Sequence, residues 1–227
     1  MFTRTSDLCA RVAHETGSHG ANVAVINHRT WEVLAATDAV ARTIDDLQFT
    51  LGEGPSLDTA DTSNECLVPD LGEASAIGRW PVLAGELNAA GVGAVFTFPV
   101  DGTSTRARSV LTVYRRSAGP MLSGHLAAAR RCATEVTGVA GLDWSNYVRS
   151  TVGDTADPDR IGIALAAAPP AGMADRADIH TAAGIVAAQL DLPPREALTT
   201  LRAHSFRTNT PLPDVARRVI ETRELIL

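Results

Sequence analysis

The sequence lacks several features that define common classes of protein. Among its 227 residues there is no lysine, which we attribute to a composition bias of the genome, and aromatic residues make up only 4%. The cysteines are few, odd in number and far apart: Cys9, Cys66 and Cys132. This pattern does not fit a disulfide framework, and it predicts buried, reduced thiols in a cytoplasmic protein.

Long apolar runs are also missing. The nearest candidate, residues 161–174, is interrupted by Pro169 and Pro170 and is too short to cross a bilayer. The N-terminus carries Arg4, Asp7 and Arg11 and has no apolar signal core. We therefore expect a cytoplasmic protein with neither a membrane span nor a secretion signal.

Motifs for catalysis or metal binding are absent too. There is no phosphate-binding loop, no Cys-x-x-Cys pair and no Gly-x-Ser-x-Gly elbow. His14 and His19 are spaced one residue too far apart for the helical zinc-protease pattern, and Ser56 has no identifiable histidine partner. The sequence therefore predicts a protein that is not an enzyme and that needs no metal and no cofactor.

What the sequence does contain is a change of pattern that divides it into three regions. Residues 1–142 mix strand and helix periodicities, residues 143–172 are rich in glycine and proline, and residues 173–227 are purely helical. The predicted order in the first region is helix 3–16, strands 21–26 and 31–35, helix 38–48, strand 65–70, helix 80–90, strands 93–100 and 109–115, and helix 122–136. This order predicts an α+β fold, an antiparallel sheet with helices mostly on one face, joined to an all-α C-terminal domain.

Two motifs in the first region carry a family resemblance. Residues 51–58 contain two glycines and a proline, which predict a sharp loop. The segments 66–70 and 91–99 follow this loop in the sequence. These stretches resemble a GAF sensor domain, which implies sensing of a signal, dimerisation, or a pocket for a small molecule. Relatives often have cysteine where Ser56 stands, so we expect no thiol chemistry there. The candidate pocket residues, for each of which core packing is the simpler role, are Asn22, Trp31, Phe49, Trp80, Phe96 and Phe98.

The C-terminal region predicts three short amphipathic helices. Apolar residues recur three or four positions apart, and prolines stand at the starts of the second and third runs. The predicted inward residues are Ile179, Ala182, Ala183, Val186, Leu190, Ala197, Leu198, Leu201, Ser205, Leu212, Val215, Ala216, Val219 and Ile220.

These three helices resemble the ANTAR domain, an RNA-binding antitermination module. The matching segments are 179–186, 195–197, 201–206 and 211–216. Relatives often carry lysine, glutamine or threonine where Ala183 stands. The resemblance implies a regulator that holds paired stem-loops in nascent RNA so that a terminator stem does not form. It also implies a homodimer, although the broken 143–172 linker argues against a continuous coiled coil across the junction.

The expected RNA face lies near the corner between the second and third helices, and its candidate residues are Arg202, His204, Ser205, Arg207, Asn209, Arg217 and Arg218. Arginine forks suit phosphates, and four such contacts predict a log–log salt slope of about −3. We expect Phe206 to fill the small core, because a three-helix unit needs a large apolar residue.

Charge leaves two other functions open. Residues 173–227 carry seven arginines and seven acidic residues, a net charge of zero within a chain of net charge −6. A nucleic-acid-binding domain usually has a positive balance. The chain could therefore be a DNA-binding regulator, or a ligand sensor whose ANTAR segment no longer binds RNA, a reading that Ala183 also favours.

Overall fold

The computed structural model describes residues 3–26, 31–100, 108–152 and 174–224, which form two compact units. We call residues 3–152 the N-terminal unit and residues 174–224 the C-terminal unit. The predicted turns at 27–30 and at 101–102, and the predicted short helix at 159–168, lie outside the described residues.

The N-terminal unit alternates short helices with the strands of one sheet. Its described elements are α1 (Thr3–Glu15), β1 (Gly20–Ile26), β2 (Trp31–Ala36), α2 (Ala39–Leu51), α3 (Pro55–Thr62), β3 (Cys66–Val68), α4 (Ala74–Arg79), α5 (Pro81–Ala89), β4 (Ala94–Val100), β5 (Arg108–Arg115) and α6 (Ser123–Val152). The five strands lie in the order β2-β1-β5-β4-β3, and every pairing is antiparallel.

Helices cover both faces of this sheet, whereas the sequence predicted helices mostly on one. Strand register places Asn22, Thr112 and Thr97 side by side on one face, where α2 and α3 pack. Alternate residues of β4 and β5 point to the other face, where Phe96 and Leu111 are at most 1% exposed and α6 contacts both strands. The β4 and β5 segments are therefore buried on both sides, which fits their nearly continuous run of buried residues.

Helices α3 and α4 were not predicted. Gly52 ends α2 in the left-handed conformation, and Gly54 has φ of 135°, where a side chain would meet Gln48 Oε1 at 2.5 Å. Pro55 then begins α3, because proline is well suited to the first turn of a helix. The glycine-rich stretch is therefore a sharp entry to a helix and not only a loop.

Helix α6 is longer than predicted. It continues through Gly138 and Gly141 to Val152, well past the expected end at Val136. A buried carboxylate fixes its second half to α1: Asp143 Oδ2 accepts the backbone N–H of Thr5 at 2.9 Å and its hydroxyl at 2.8 Å. This bond satisfies an N-terminal amide of α1, so the two helices stabilise each other.

The C-terminal unit consists of three helices, as predicted. They are α7 (Ala174–Leu190), α8 (Pro194–Thr208) and α9 (Leu212–Thr222). The residues that form its core are small or medium in size, and those below 5% exposure are Ile179, Ala182, Ala183, Val186, Ala197, Leu201, Leu212, Val215, Ala216 and Val219. Leu190, Leu198 and Ile220 are half-buried. The predicted fold class, a sheet unit with flanking helices followed by an all-α domain, is confirmed. No described helix is both long and apolar enough to cross a membrane.

Candidate nucleic-acid interface

The corner between α8 and α9 is fixed by a tight network of hydrogen bonds. Asn209 ends α8 in the left-handed conformation at φ 49°, and its N–H reaches the carbonyls of Ser205 and Phe206. The Ser205 hydroxyl donates to the Thr210 carbonyl at 2.7 Å, and the Thr210 N–H returns to the Ser205 carbonyl at 3.0 Å. Ser205 is only 7% exposed, so its hydroxyl stabilises the corner, while the Asn209 side chain is exposed.

Three basic side chains lie together beside this corner. Arg207 donates to Nδ1 of His204 at 3.1 Å. Partial burial, followed by the charges of Arg207 and then Arg218, lowers the pKa of His204. The charge of Arg218 on α9 therefore acts on His204 on α8. We call His204, Arg207 and Arg218 the corner cluster.

No carboxylate of the described residues neutralises the guanidinium groups of the corner cluster. Within the described residues, neither Arg207 nor Arg218 forms an ion pair with a carboxylate. Both side chains are exposed. They are therefore available to bind an anion from solution.

Arg217 differs from its neighbour Arg218. It forms a salt bridge one turn back along α9 with Asp214, and the two side chains are 56% and 49% exposed. Part of the charge of Arg217 is therefore balanced before any ligand arrives.

Arg202 lies on another side of α8, toward α7. Burial lowers its pKa to about 10, so it remains cationic at neutral pH. Burial, then the charges of Arg202 and Arg176, lowers the pKa of His180 on α7. The seven residues predicted for the RNA face therefore do not converge on one point: three form the corner cluster, and Arg202 belongs to a second basic group.

Two further residues behave differently from the sequence expectation. Phe206 is 74% exposed, so its predicted place in the core is wrong. Ala183 is 4% exposed and packs inside the unit, so a long polar side chain could not simply replace it as a surface contact. Leu201 and Ser205 take the inward positions on this part of α8, and Phe206 is turned about 100° away from Ser205 around the helix axis.

The six residues proposed for a ligand pocket are all buried, and they are not brought together. Asn22, on one face of the sheet, donates to the Ala41 carbonyl at 2.8 Å, whereas Phe96 and Phe98 lie on the opposite face. Trp31 donates to both carboxylate oxygens of Asp45 at 3.0 and 3.1 Å and packs edge-on against Phe49. Trp80 belongs to a separate apolar cluster with Leu83 and Val95 and lies under the guanidinium of Arg79.

A buried polar network, which sequence reasoning missed, occupies the α2–α3 face of the sheet. Ser56, at 1% exposure, donates its N–H to Gln48 Oε1 at 2.8 Å and accepts from Gln48 Nε2 at 3.0 Å. Its hydroxyl also meets that of Thr112 at 3.1 Å, and Thr59 meets Thr97 at 2.7 Å. The available sequence signals were Gln48 on the inner face of α2 and the threonines within apolar strands. Ser56 thus holds helix α3 on the sheet.

Comparison with known families agrees with this architecture. Residues 171–220 match the family model of the ANTAR domain. The chain therefore carries an ANTAR domain at residues 171–220, and a GAF-like unit precedes it in the sequence. No curated protein matches the chain.

Among solved structures, the chain is similar to several proteins at low identity, including GAF domains. The GAF domain region of a Geobacter sulfurreducens PCA protein is 12% identical, with TM-score 0.49, over 62% of this chain and 93% of that one. The GAF domain of a phosphoenolpyruvate-protein phosphotransferase from Coxiella burnetii is 11% identical, with TM-score 0.49, over 64% and 85%. A type II free methionine-R-sulfoxide reductase from Thermoplasma acidophilum is 9% identical, with TM-score 0.43, over 62% and 92%. TM-scores below 0.5 are too low to carry an argument, so the GAF-like description depends on the sheet architecture and the sequence motifs.

Proposed function

We propose that this chain is a cytoplasmic transcription regulator whose ANTAR domain binds stem-loop RNA. The observation that carries this proposal is the corner cluster, where the guanidinium groups of Arg207 and Arg218 have no described carboxylate partner. Guanidinium forks match phosphate oxygens in geometry and charge. A loop of RNA presents phosphates and unpaired bases together, which suits a compact basic corner better than an extended groove.

The corner cluster also answers the objection from net charge. Electrostatic attraction depends on the potential at the binding surface, not on the sum over the domain. In the C-terminal unit the carboxylate of Asp214 forms a salt bridge with Arg217. The two arginines of the corner cluster have no described carboxylate partner, so the corner cluster remains positive. A domain of zero net charge can therefore still present a cationic face.

Binding of this kind would act by competition between RNA folds. A protein that holds small stem-loops in a nascent leader prevents the same nucleotides from entering a terminator stem, and no bond is made or broken. Two protomers that each present one ANTAR domain would bind paired loops with a higher effective concentration. We assign the GAF-like unit to sensing a signal, through an unidentified small molecule, or to holding such a homodimer.

A binding experiment with defined probes tests this proposal. The loop pool is a set of stem-loop RNAs with one fixed stem and a randomised loop, and the controls are the loop-free RNA duplex of that stem and the corresponding DNA duplex. We expect the full chain to prefer the loop pool, with affinity that falls as salt rises, at a log–log slope of about −2 to −3 for three or four phosphate contacts.

The controls separate the rival functions. Preference for the DNA duplex would contradict the proposal and favour a DNA-binding regulator. Absence of salt-sensitive binding to any of the three probes would contradict it as well and would favour a ligand sensor without RNA binding.

A further inference from the structure

Phe206 is the large apolar side chain that the C-terminal unit leaves most exposed among its described residues, at 74%. Isolated apolar residues on a surface are common, so exposure alone indicates little. The exposed ring here is distinguished by its surroundings. No ring contact or cation–π contact of the described residues involves it, and most of its surface is accessible to a ligand.

The position of Phe206 on α8 places it between the two basic groups. A helix turns about 100° per residue, so Phe206 lies about 40° from Arg202 and about 100° from Arg207 around the axis. On the buried side of α8, Leu201 and Ser205 point into the core. The exposed surface at this end of α8 therefore carries an aromatic ring beside the exposed guanidinium of Arg207, with the half-buried Arg202 on its other side.

Such an arrangement suits an unpaired nucleotide. The ring offers a stacking platform to a base, and the exposed guanidinium of the next residue, Arg207, suits a phosphate beside that base. An acidic protein surface would also attract Arg207. It would not by itself need an exposed aromatic ring, whereas every nucleobase has a flat face that stacks on one.

We propose that Phe206 stacks on an unpaired loop base and makes this ANTAR domain select single-stranded loops over duplex stems. This inference rests on the proposed RNA-binding function and adds the residue that reads the loop. The corner cluster then supplies phosphate contacts, while Phe206 supplies a contact that depends on the base itself.

The test compares four forms of the full chain: the natural protein, F206A, F206L and F206W. The probes are the loop pool and an abasic probe, in which the same stem carries a loop with sugars and phosphates but no bases. On the loop pool we expect F206A to lose affinity by roughly five- to a hundredfold, the range for one base stacked on an aromatic ring. F206L keeps apolar bulk without a flat ring and should lose nearly as much, whereas F206W should bind as well as the natural protein.

The abasic probe gives the matched control. All four forms should bind it with similar affinity, because the phosphate contacts are unchanged and there is no base to stack. A loop that contains 2-aminopurine adds a spectroscopic readout: its fluorescence should be quenched by the natural protein and by F206W, and not by F206A. Since Phe206 is exposed, the thermal unfolding of F206A, followed by circular dichroism, should match that of the natural protein.

Two results would overturn the inference without touching the proposed function. One is F206A binding the loop pool as tightly as the natural protein does, which would leave an acidic protein surface as the partner for the ring. The other is an equal loss on the loop pool and on the abasic probe, which would show that the ring does not read bases. Failure of the natural protein to prefer loops over the RNA duplex is a different result, and it would reject the proposed function itself.

Discussion

Two exposed surfaces of this protein, one in each unit, treat their arginines in opposite ways. In the N-terminal unit, exposed arginines on α6 pair with acids: Arg130 meets Glu65 in a two-pronged contact at 2.5 and 2.9 Å, and Arg131 lies 3.6 Å from Glu15. In the C-terminal unit, the arginines of the corner cluster have no such described partner. This difference indicates that the placement of carboxylates, more than the number of charges, decides which surface can bind a polyanion.

Polar groups follow the same division. The N-terminal unit turns Gln48, Ser56 and Thr112 inward and satisfies them with one another. The C-terminal unit keeps Arg207 and Asn209 outside, on a corner that backbone bonds hold rigid. The polar side chains of this network therefore serve the structure, whereas those of Arg207 and Asn209 are available for a ligand.

Of the changes that test this comparison, removing both arginines of the corner cluster should have the largest effect. For the double variant R207A/R218A we expect affinity for the loop pool to fall roughly a hundredfold, from about 1.5 kcal/mol per charged contact. The salt slope should become shallower by about 1.4, at about 0.7 per phosphate for single strands. Fluorescence anisotropy across a salt series measures both.

The matched control for that variant is R130A, an exposed arginine of the other unit that is already paired with Glu65. It should leave affinity and salt slope unchanged. A loss of affinity in R130A as large as that in the double variant would mean that the arginines of the corner cluster contribute no more to RNA binding than a paired arginine does.

The next effect concerns the inward polar network. The variant Q48A removes both side-chain hydrogen bonds between Gln48 and Ser56, so the buried N–H of Ser56 is left without its acceptor. We expect the free energy of unfolding of the N-terminal unit to fall by about 1 to 3 kcal/mol. Urea denaturation followed by tryptophan fluorescence measures this, with N88A, an exposed position on α5, as the control. A change of less than the error of the control would show that the network does not stabilise the fold.

A smaller effect would sharpen the contrast between Arg217 and Arg218. An exposed ion pair contributes about 0 to 1 kcal/mol, so releasing Arg217 from Asp214 should change affinity by a few-fold at most. We expect D214A to bind the loop pool up to about fivefold more tightly, and R217A to lose less than R218A. Equal losses in R217A and R218A would contradict the view that the carboxylate partner makes the difference.

The smallest expected effect is a pH dependence of folding in the C-terminal unit. Burial, then Arg202 and Arg176, lowers the pKa of His180 below its usual value. The unfolded chain therefore binds a proton first as pH falls, so stability is unaffected well above the usual pKa near 6.5 and declines as pH drops below it. Urea midpoints followed by circular dichroism should fall between pH 7.5 and 5.5, and H180Q should reduce that fall. An identical fall in H180Q would assign the pH dependence to other groups.

Much of the fold could be predicted from sequence because its signals are local. The three C-terminal helices follow from apolar residues three or four positions apart and from Pro194 and Pro211 at the breaks. The extent of α6 could not be predicted in this way. Gly138 and Gly141 indicate a break, whereas the stabilising bond joins Asp143 to Thr5, which is 138 residues away in sequence.

The candidate site was predictable in residue type and only partly in arrangement. The sequence indicates a cluster of arginines near the α8–α9 corner, and the structure places Arg207 and Arg218 there. Which arginines have carboxylate partners is a property of side-chain packing that spacing does not reveal. The exposure of Phe206 was missed because its size favoured the core, whereas Leu201 and Ser205 take the inward positions on this part of α8.

The most direct test of the central claim is to map where RNA contacts the chain. Ultraviolet crosslinking of the full-length protein to the loop pool, followed by mass spectrometry of the crosslinked peptides, locates those contacts residue by residue. The account predicts crosslinks concentrated between Arg202 and Arg218, on the end of α8 and on α9. Crosslinks confined to the N-terminal unit, or spread evenly over both units, would contradict it.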